Sequence, residues 1–340
     1  MSPLPAQARK VLVMELAGLG DNVHLLPALW LVRQAWPQAE LHVMASGHGA
    51  DLFRLTPWVD RIWSYPRLPR PPGLLANLEW GRRLRAEHFD VVINTTGSDR
   101  SSMLSWLSRA PVRLGRLPAD GGPPGWRHLF TAVMEHPYYR EPMFLQKWRC
   151  LRDAGFAGPE QPEFHVTIAP ALRRAAGIEP QDDGRYIHLS PFTSTERKEL
   201  TREQTVEVVA ALQAAFPQHR LVLSCAPTER ERAKLADLLP RLPVRPWRSY
   251  AGQLDVAQLT SVIQGAALHV GGDSAGLHLA TLAGVPSVIW YREHGGRKEW
   301  TPPGERHRLL VSDQGDDTAL RGVTTAQIVD AARELLRARL

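Results

Sequence analysis

Short apolar runs, each followed by a stretch of helical periodicity, succeed one another along almost all of the 340 residues. Runs that lack polar alternation suit strands buried on both faces, and an intervening helix is the connection that parallel neighbours require. The pattern therefore predicts an α/β chain built from parallel strands. In the first half, strands are expected at KVLVMEL, ELHVMA, RIWSY, FDVVINT and VRLGR, with helices between them such as 22–35 and 74–85. The alternation pauses over HPYYREPMFLQKWRCLRDAGFAGPEQP and restarts at RYIHLSP. It continues through HRLVLSC, AALHVGG, VPSVIWY and HRLLV, with helices near 201–216, 228–239 and 254–265. The chain is longer than a single core usually supports, so the restart reads as a domain boundary. The expectation is two Rossmann-like, doubly wound halves, 1–165 and 166–322, facing a central cleft. A last helix over 323–340, with a threonine cap and apolar spacing at Ile328, Ala331, Leu335 and Leu336, is expected to pack back on the first half.

Composition narrows the function. No apolar run approaches the roughly 18 to 20 residues of a membrane span, and no small-residue cleavage site follows the N-terminus, so a cytoplasmic chain is expected. The two cysteines, Cys150 and Cys225, lack metal-type spacing with histidine and read as reduced thiols, which implies no zinc site. Charge is uneven: residues 1–160 carry 19 Lys and Arg against 14 Asp and Glu, or +5 of the total +6. A basic first half suggests an acidic partner. Its arginines (Arg67, Arg70, Arg82, Arg83, Arg85) are scattered and accompany no helix-turn-helix, finger or aromatic RNA-binding pattern, which speaks against nucleic acid. The proline-rich stretch PRLPRPPG and the segment LPADGGPPGWR read as long loops.

In open parallel sheets, ligands sit where strands end and helices begin. Three segments occupy such positions. The first is VLVMELAGLGDNVHLLPALW, where Gly18 and Gly20 permit a tight turn and Asp21 falls at the start of a helix, as a cap or as a base. Val23 stands where a dinucleotide fingerprint needs its third glycine, so a nicotinamide cofactor gains no support. The second is GGDSAGLHLATLAGVP, residues 271–286. Asp273 or Ser274 can cap its helix, and the N–H groups of Ser274, Ala275 and Gly276 can hold a phosphate; a plain tight turn is the other reading. His278 either faces a ligand or is a buried, hydrogen-bonded histidine. The third is SPFTSTERKELTREQT, whose Thr193, Ser194 and Thr195 precede Lys198; it offers donors and a cation to a phosphate, or is a solvated loop.

Taken together and in this order, the segments resemble glycosyltransferase family nine, the ADP-heptose:lipopolysaccharide heptosyltransferases. The features that carry the resemblance are Gly20-Asp21 with Pro27-Ala28-Leu29, the stretch SYAGQLDVAQLTSVIQGAALHVGG, Asp273-Ser274 with His278-Leu279-Ala280, and Gly284-Val285-Pro286. The resemblance implies a GT-B fold with acceptor on the first domain and nucleotide-sugar on the second. By position it implies Asp21 as catalytic base and Lys198 as diphosphate ligand, with Thr193 or Ser194 nearby. Asp273 is implied as a ligand of the donor sugar, and the Ser274 and Ala275 N–H groups as phosphate donors. The sequence departs from the family pattern at Ala275 (usually Gly), at Leu200 (often Trp) and at Trp290-Tyr291-Arg292 (usually L-F-G).

One base suffices to activate a sugar hydroxyl, and a nucleoside diphosphate leaves as an anion that needs charge stabilisation rather than an acid. The layout therefore predicts single displacement with inversion and no metal, and the resemblance implies ADP-heptose as donor with no other cofactor. A lipopolysaccharide core acceptor at the inner face of the cytoplasmic membrane would account for the basic first half, through arginines such as Arg100, Arg109 and Arg113. The alternatives are another nucleotide-sugar donor, nucleotide-sugar epimerisation, or binding without catalysis.

Overall fold

The computed structural model describes residues 4–47, 49–66, 72–136 and 138–338. Most of the proline-rich stretch at 66–73, with Arg67 and Arg70, lies outside them. The chain divides into two compact units, 1–167 and 168–340. Among the described residues no helix is long and apolar enough to cross a membrane.

In the first unit the elements run β1 (Lys10–Glu15), α1 (Leu19–Ala35), β2 (Glu40–Ser46), α2 (Gly49–Leu52), β3 (Arg61–Tyr65) and α3 (Leu74–Ala86). They continue through β4 (Val91–Asn94), α4 (Asp99–Leu107), β5 (Val112–Gly115), β6 (Ala132–Val133) and α5 (Met143–Asp153). The strands form one parallel sheet in the order β3-β2-β1-β4-β5-β6. Val11, Leu12, Val13 and Met14 are fully buried, as expected of a central strand covered on both faces. One side of the core gathers Leu12, Met14, Trp63, Val92 and Leu104, and α1 packs with α5.

The second unit repeats the plan. It comprises α6 (Pro170–Ala175), β7 (Tyr186–Ser190), α7 (Arg202–Ala215), β8 (Arg220–Cys225), α8 (Glu229–Leu238), β9 (Arg248–Ala251) and α9 (Val256–Gln264). Then follow β10 (Leu268–Gly272), α10 (Ala275–Leu282), β11 (Ser287–Arg292), α11 (Arg297–Trp300), β12 (His307–Ser312) and α12 (Thr325–Arg337). Its parallel sheet has the order β12-β11-β10-β7-β8-β9. The chain is thus α/β and doubly wound twice over.

Two expectations change. The C-terminal helix packs within the second unit: Ile328, Ala331, Ala332 and Leu335 of α12 are buried in the same core as Val208, Leu212, Val288 and Trp290. Its apolar stripe covers the sheet over β11 and β12 and packs beside α7. Second, α1 starts at Leu19, three residues earlier than expected, so Asp21 is not its cap. The capping position is Gly18 in an extended conformation (φ −71°, ψ 175°), so the turn does not use the positive-φ freedom of glycine. The edge strand β9 escaped the sequence reading because it has four residues, two of them exposed.

Both sheets reverse direction at a point the strand order makes explicit. In the first it lies between β1 and β4, in the second between β7 and β10. Such switch points open a crevice outside the carboxyl ends of the two strands, where ligands of open α/β sheets bind.

Candidate active site

At the switch point of the first sheet, β1 ends in Glu15 and β4 is followed by Thr95 and Thr96. Glu15 is 1% exposed and fully engaged: Thr95 Oγ1 donates to Oε2 (2.7 Å), Thr96 Oγ1 to Oε1 (2.8 Å), and Lys147 Nζ to Oε2 (2.6 Å). Lys147, from α5, is 2% exposed and donates also to the backbone carbonyl of Asp21 (2.9 Å), with the Asp21 Oδ1 at 3.8 Å. Asp21 itself accepts from the Gly18 N–H through Oδ2 (3.1 Å) and keeps 21% of its side chain exposed.

One lysine therefore stands between two carboxylates in different states. Burial alone would raise Glu15, but the Lys147 charge and hydrogen bond, with the two threonine hydroxyls, hold it below the usual carboxylate value. Burial pushes Asp21 above the usual value; the Lys147 charge opposes that rise and Glu15 adds to it. A carboxylate so placed is a stronger base than one in water, and its partial exposure leaves it accessible to a substrate hydroxyl.

The second switch point carries the other two segments. Lys198 Nζ donates to Asp273 Oδ2 at 2.5 Å, with the lysine side chain 23% and the aspartate 7% exposed. Ser274 is the N-cap of α10 yet makes no side-chain capping bond, so its hydroxyl does not occupy the helix start. Ser274, Ala275 and Gly276 line a pocket of about 400 Å³ together with Ser194, Ser224 and Arg230. Two glycines hold this cradle's shape. A Cβ at Gly272 would come within 2.7 Å of both Thr193 Cγ2 and Trp290 Nε1, and one at Gly276 within 2.8 Å of His269 Cε1. The sheet below holds a buried polar chain that the sequence reading missed: Ser224 Oγ to His188 Nε2 and His188 Nδ1 to His269 Nδ1, both at 2.9 Å. Burial depresses His188 to about 3 and His269 well below the usual histidine value, so both rings are neutral.

A model described as "Glycosyltransferase family 9 (heptosyltransferase)" matches residues 78–326. The chain belongs to glycosyltransferase family 9. It is similar to the lipopolysaccharide core heptosyltransferase OpsX of Haemophilus influenzae, 22% identical over 294 residues, covering 86% of this chain and 82% of that protein. Its fold is similar to the crystal structure of a family 9 glycosyltransferase from Veillonella parvula (TM-score 0.81, 18% identity, covering 98% and 99% of the two chains). A similar likeness holds to the Escherichia coli ADP-heptose lps heptosyltransferase II (TM-score 0.79, 18% identity, 97% and 99%). The fold is therefore of the GT-B type, and the protein is a glycosyltransferase.

Within this family member, the residues expected from sequence separate into groups. Lys198 and Asp273 meet. Ser194 is exposed and Thr193 buried, both on the pocket wall. The Thr193 hydroxyl is used within its own loop, donating to Thr195 O (2.7 Å), while its N–H donates to Glu199 Oε1 (2.8 Å). Glu199, 3% exposed, also binds Arg230 and Lys234 and so fastens the loop to α8. His278 is buried and neutral: burial takes it to about 4 against the pull of Asp273. Of Arg100, Arg109 and Arg113, the last two are neighbours: burial, and after it the Arg109 charge, hold the Arg113 guanidinium below its usual value. Arg109 lies over the Trp106 ring at 4.5 Å, and Arg113 spends Nε and Nη1 on the carbonyls of Leu129 and Ala110. Arg100 stands on the first turn of α4. The departures from the family pattern have structural places: Leu200 and Trp290 belong to the core, and burial with the nearby Asp273 pushes the Tyr291 phenol up.

Proposed function

We propose that the protein transfers heptose from ADP-heptose to a lipopolysaccharide core acceptor by a single displacement that inverts the anomeric carbon. Asp21 acts as general base. What carries this reading is the Asp21 carboxylate, partly exposed at a sheet switch point with its proton affinity raised by burial. A binding module has no use for such a group. The acceptor hydroxyl gives its proton to Asp21 as its oxygen attacks the anomeric carbon, and the bond to the diphosphate breaks with the electron pair going to ADP. Lys198 and the N–H groups opening α10 stabilise the charge that gathers on the leaving oxygen. Asp273, held by Lys198, is placed to accept from donor hydroxyls. The reading needs no resident cofactor. The names of the relatives support heptose and an ADP-linked donor.

The acceptor's lipid places the reaction at the inner face of the cytoplasmic membrane. Exposed Leu74 and Leu75 at the start of α3, 67% and 81% accessible, followed by Arg82 and Arg83, support a peripheral contact there.

Calorimetric titration with ADP, UDP and GDP tests the donor. Selective ADP binding that Lys198→Ala loses supports the reading. Selective UDP or GDP binding keeps the mechanism and replaces the donor, and no binding of any nucleotide overturns the transferase assignment of the cradle.

A further inference from the structure

Arg116 directly follows β5, at the same carboxyl edge of the first sheet as Glu15. It is 3% exposed, yet it has no carboxylate partner among the described residues. Nη2 donates to the neutral Gln146 Oε1 (2.7 Å) and lies 3.5 Å from the His136 carbonyl. Nε is buried with no hydrogen bond at all. The Tyr138 ring covers the guanidinium face, 3.6 Å from Cζ to the ring centroid, and its hydroxyl is tied to the Leu117 carbonyl (2.5 Å). A guanidinium always carries its charge, so burying it without an anion is costly.

The nearby acids are turned elsewhere. Glu141 binds His136 Nε2 (2.7 Å) and Arg149, Asp153 binds His136 Nδ1 (3.2 Å), and Glu135 binds Arg127 (2.9 Å). Arg116 lines a pocket of about 520 Å³ with Pro118, Glu135, His136, Tyr138 and Arg140. Arg140, exposed, adds a second cation without an ion pair among the described residues.

The residues that hold Arg116 and Tyr138 adjoin those of the Asp21 cluster. On α5, Gln146 holds Arg116 and the next residue, Lys147, holds Glu15 and the Asp21 carbonyl. On the other side, Gly97, next to the Thr96 that binds Glu15, lies so close to Tyr138 that a Cβ there would stand 2.7 Å from its hydroxyl.

We propose that Arg116 is an anion-binding residue that receives an acidic group, carboxylate or phosphate, on the acceptor and so presents a neighbouring hydroxyl to Asp21. The proposal rests on the transferase reading above. An oxyanion seated here supplies the missing counter-charge and gives Nε its hydrogen bond.

The test titrates glucuronate, glucose 6-phosphate and neutral glucose into the full chain, with and without saturating ADP. Wild type, Arg116→Gln and Arg116→Lys are compared, with melting temperatures recorded for each. The expected result is saturable binding of at least one acidic probe but not glucose, weakened at least tenfold in Arg116→Gln and less in Arg116→Lys, with ADP affinity unchanged in all three. Which acidic probe binds identifies the group as carboxylate or phosphate. Equal binding of the probes by wild type and Arg116→Gln, or no preference for acid over glucose in wild type, overturns the proposal. Failure of wild type to bind ADP counts against the donor reading alone, since the arms without ADP still report on Arg116.

Discussion

Each unit places one lysine against an acid at its sheet switch point, and the two pairs differ in what is left over. Lys147 and Glu15 are 2% and 1% exposed and every oxygen of Glu15 is engaged; Lys198 and Asp273 are 23% and 7% exposed, beside a helix start without a side-chain cap. The first pair is a closed structural element that supports a third group, Asp21. The second is an open pair in which the cation can exchange a carboxylate for a phosphate. Exposure and unsatisfied donors, more than the residue types, separate the part that holds a site from the part that binds.

Substitutions can break this contrast. Asp21→Asn is expected to lower turnover by about 10² to 10⁴-fold while the protein melts at the same or a higher temperature, because the folded state disfavours the Asp21 charge. Steady-state rates and calorimetric melting read both. Glu15→Gln acts in the opposite sense. It strands the buried Lys147 charge and is expected to cost roughly 3–5 kcal/mol of stability, seen as a fall in the denaturation midpoint. Should both variants melt alike, the division of labour between the two carboxylates is wrong. Lys198→Ala is expected to lose about 1.5–3 kcal/mol of ADP affinity, by calorimetry, and to lower melting less than Glu15→Gln does, because the lysine end of its pair is 23% exposed. Gly276→Ala drives a Cβ against His269 and is expected to cost about 1–3 kcal/mol of stability together with donor affinity.

The smallest effect expected is in the pH dependence of stability. Glu15 has a depressed value in the fold, so its contribution is present above the unfolded carboxylate value and is lost as pH falls through the folded one. Asp21 has a raised value, so its charge costs stability above the folded value, and that cost is relieved as pH falls through it. The acid limb of turnover should therefore lie above the range of an exposed aspartate. Asp21→Asn should remove the second contribution to stability and leave the first.

Much of the fold was legible because strands buried on both faces write themselves as unbroken apolar runs. Asp21, Lys198 and Asp273 were legible because each lies where a run ends and a helix begins. Glu15 was not: it closes the apolar run KVLVME and reads as part of a strand, although a lone acid at the end of a buried strand is itself a signal. Lys147 was hidden because its partner lies 132 positions away and its own helix shows only amphipathic spacing. Arg116 was passed over for a related reason: of the seven Lys and Arg between residues 101 and 150 it shares deep burial with Lys147, and burial is tertiary.

The most direct test follows ADP release from ADP-heptose in the presence of a lipopolysaccharide core acceptor, for wild type and Asp21→Asn, with ADP affinity measured on the same preparations. The account predicts that release collapses in the variant while ADP binds as tightly as before. Unimpaired release by Asp21→Asn would contradict it and remove Asp21 from the reaction.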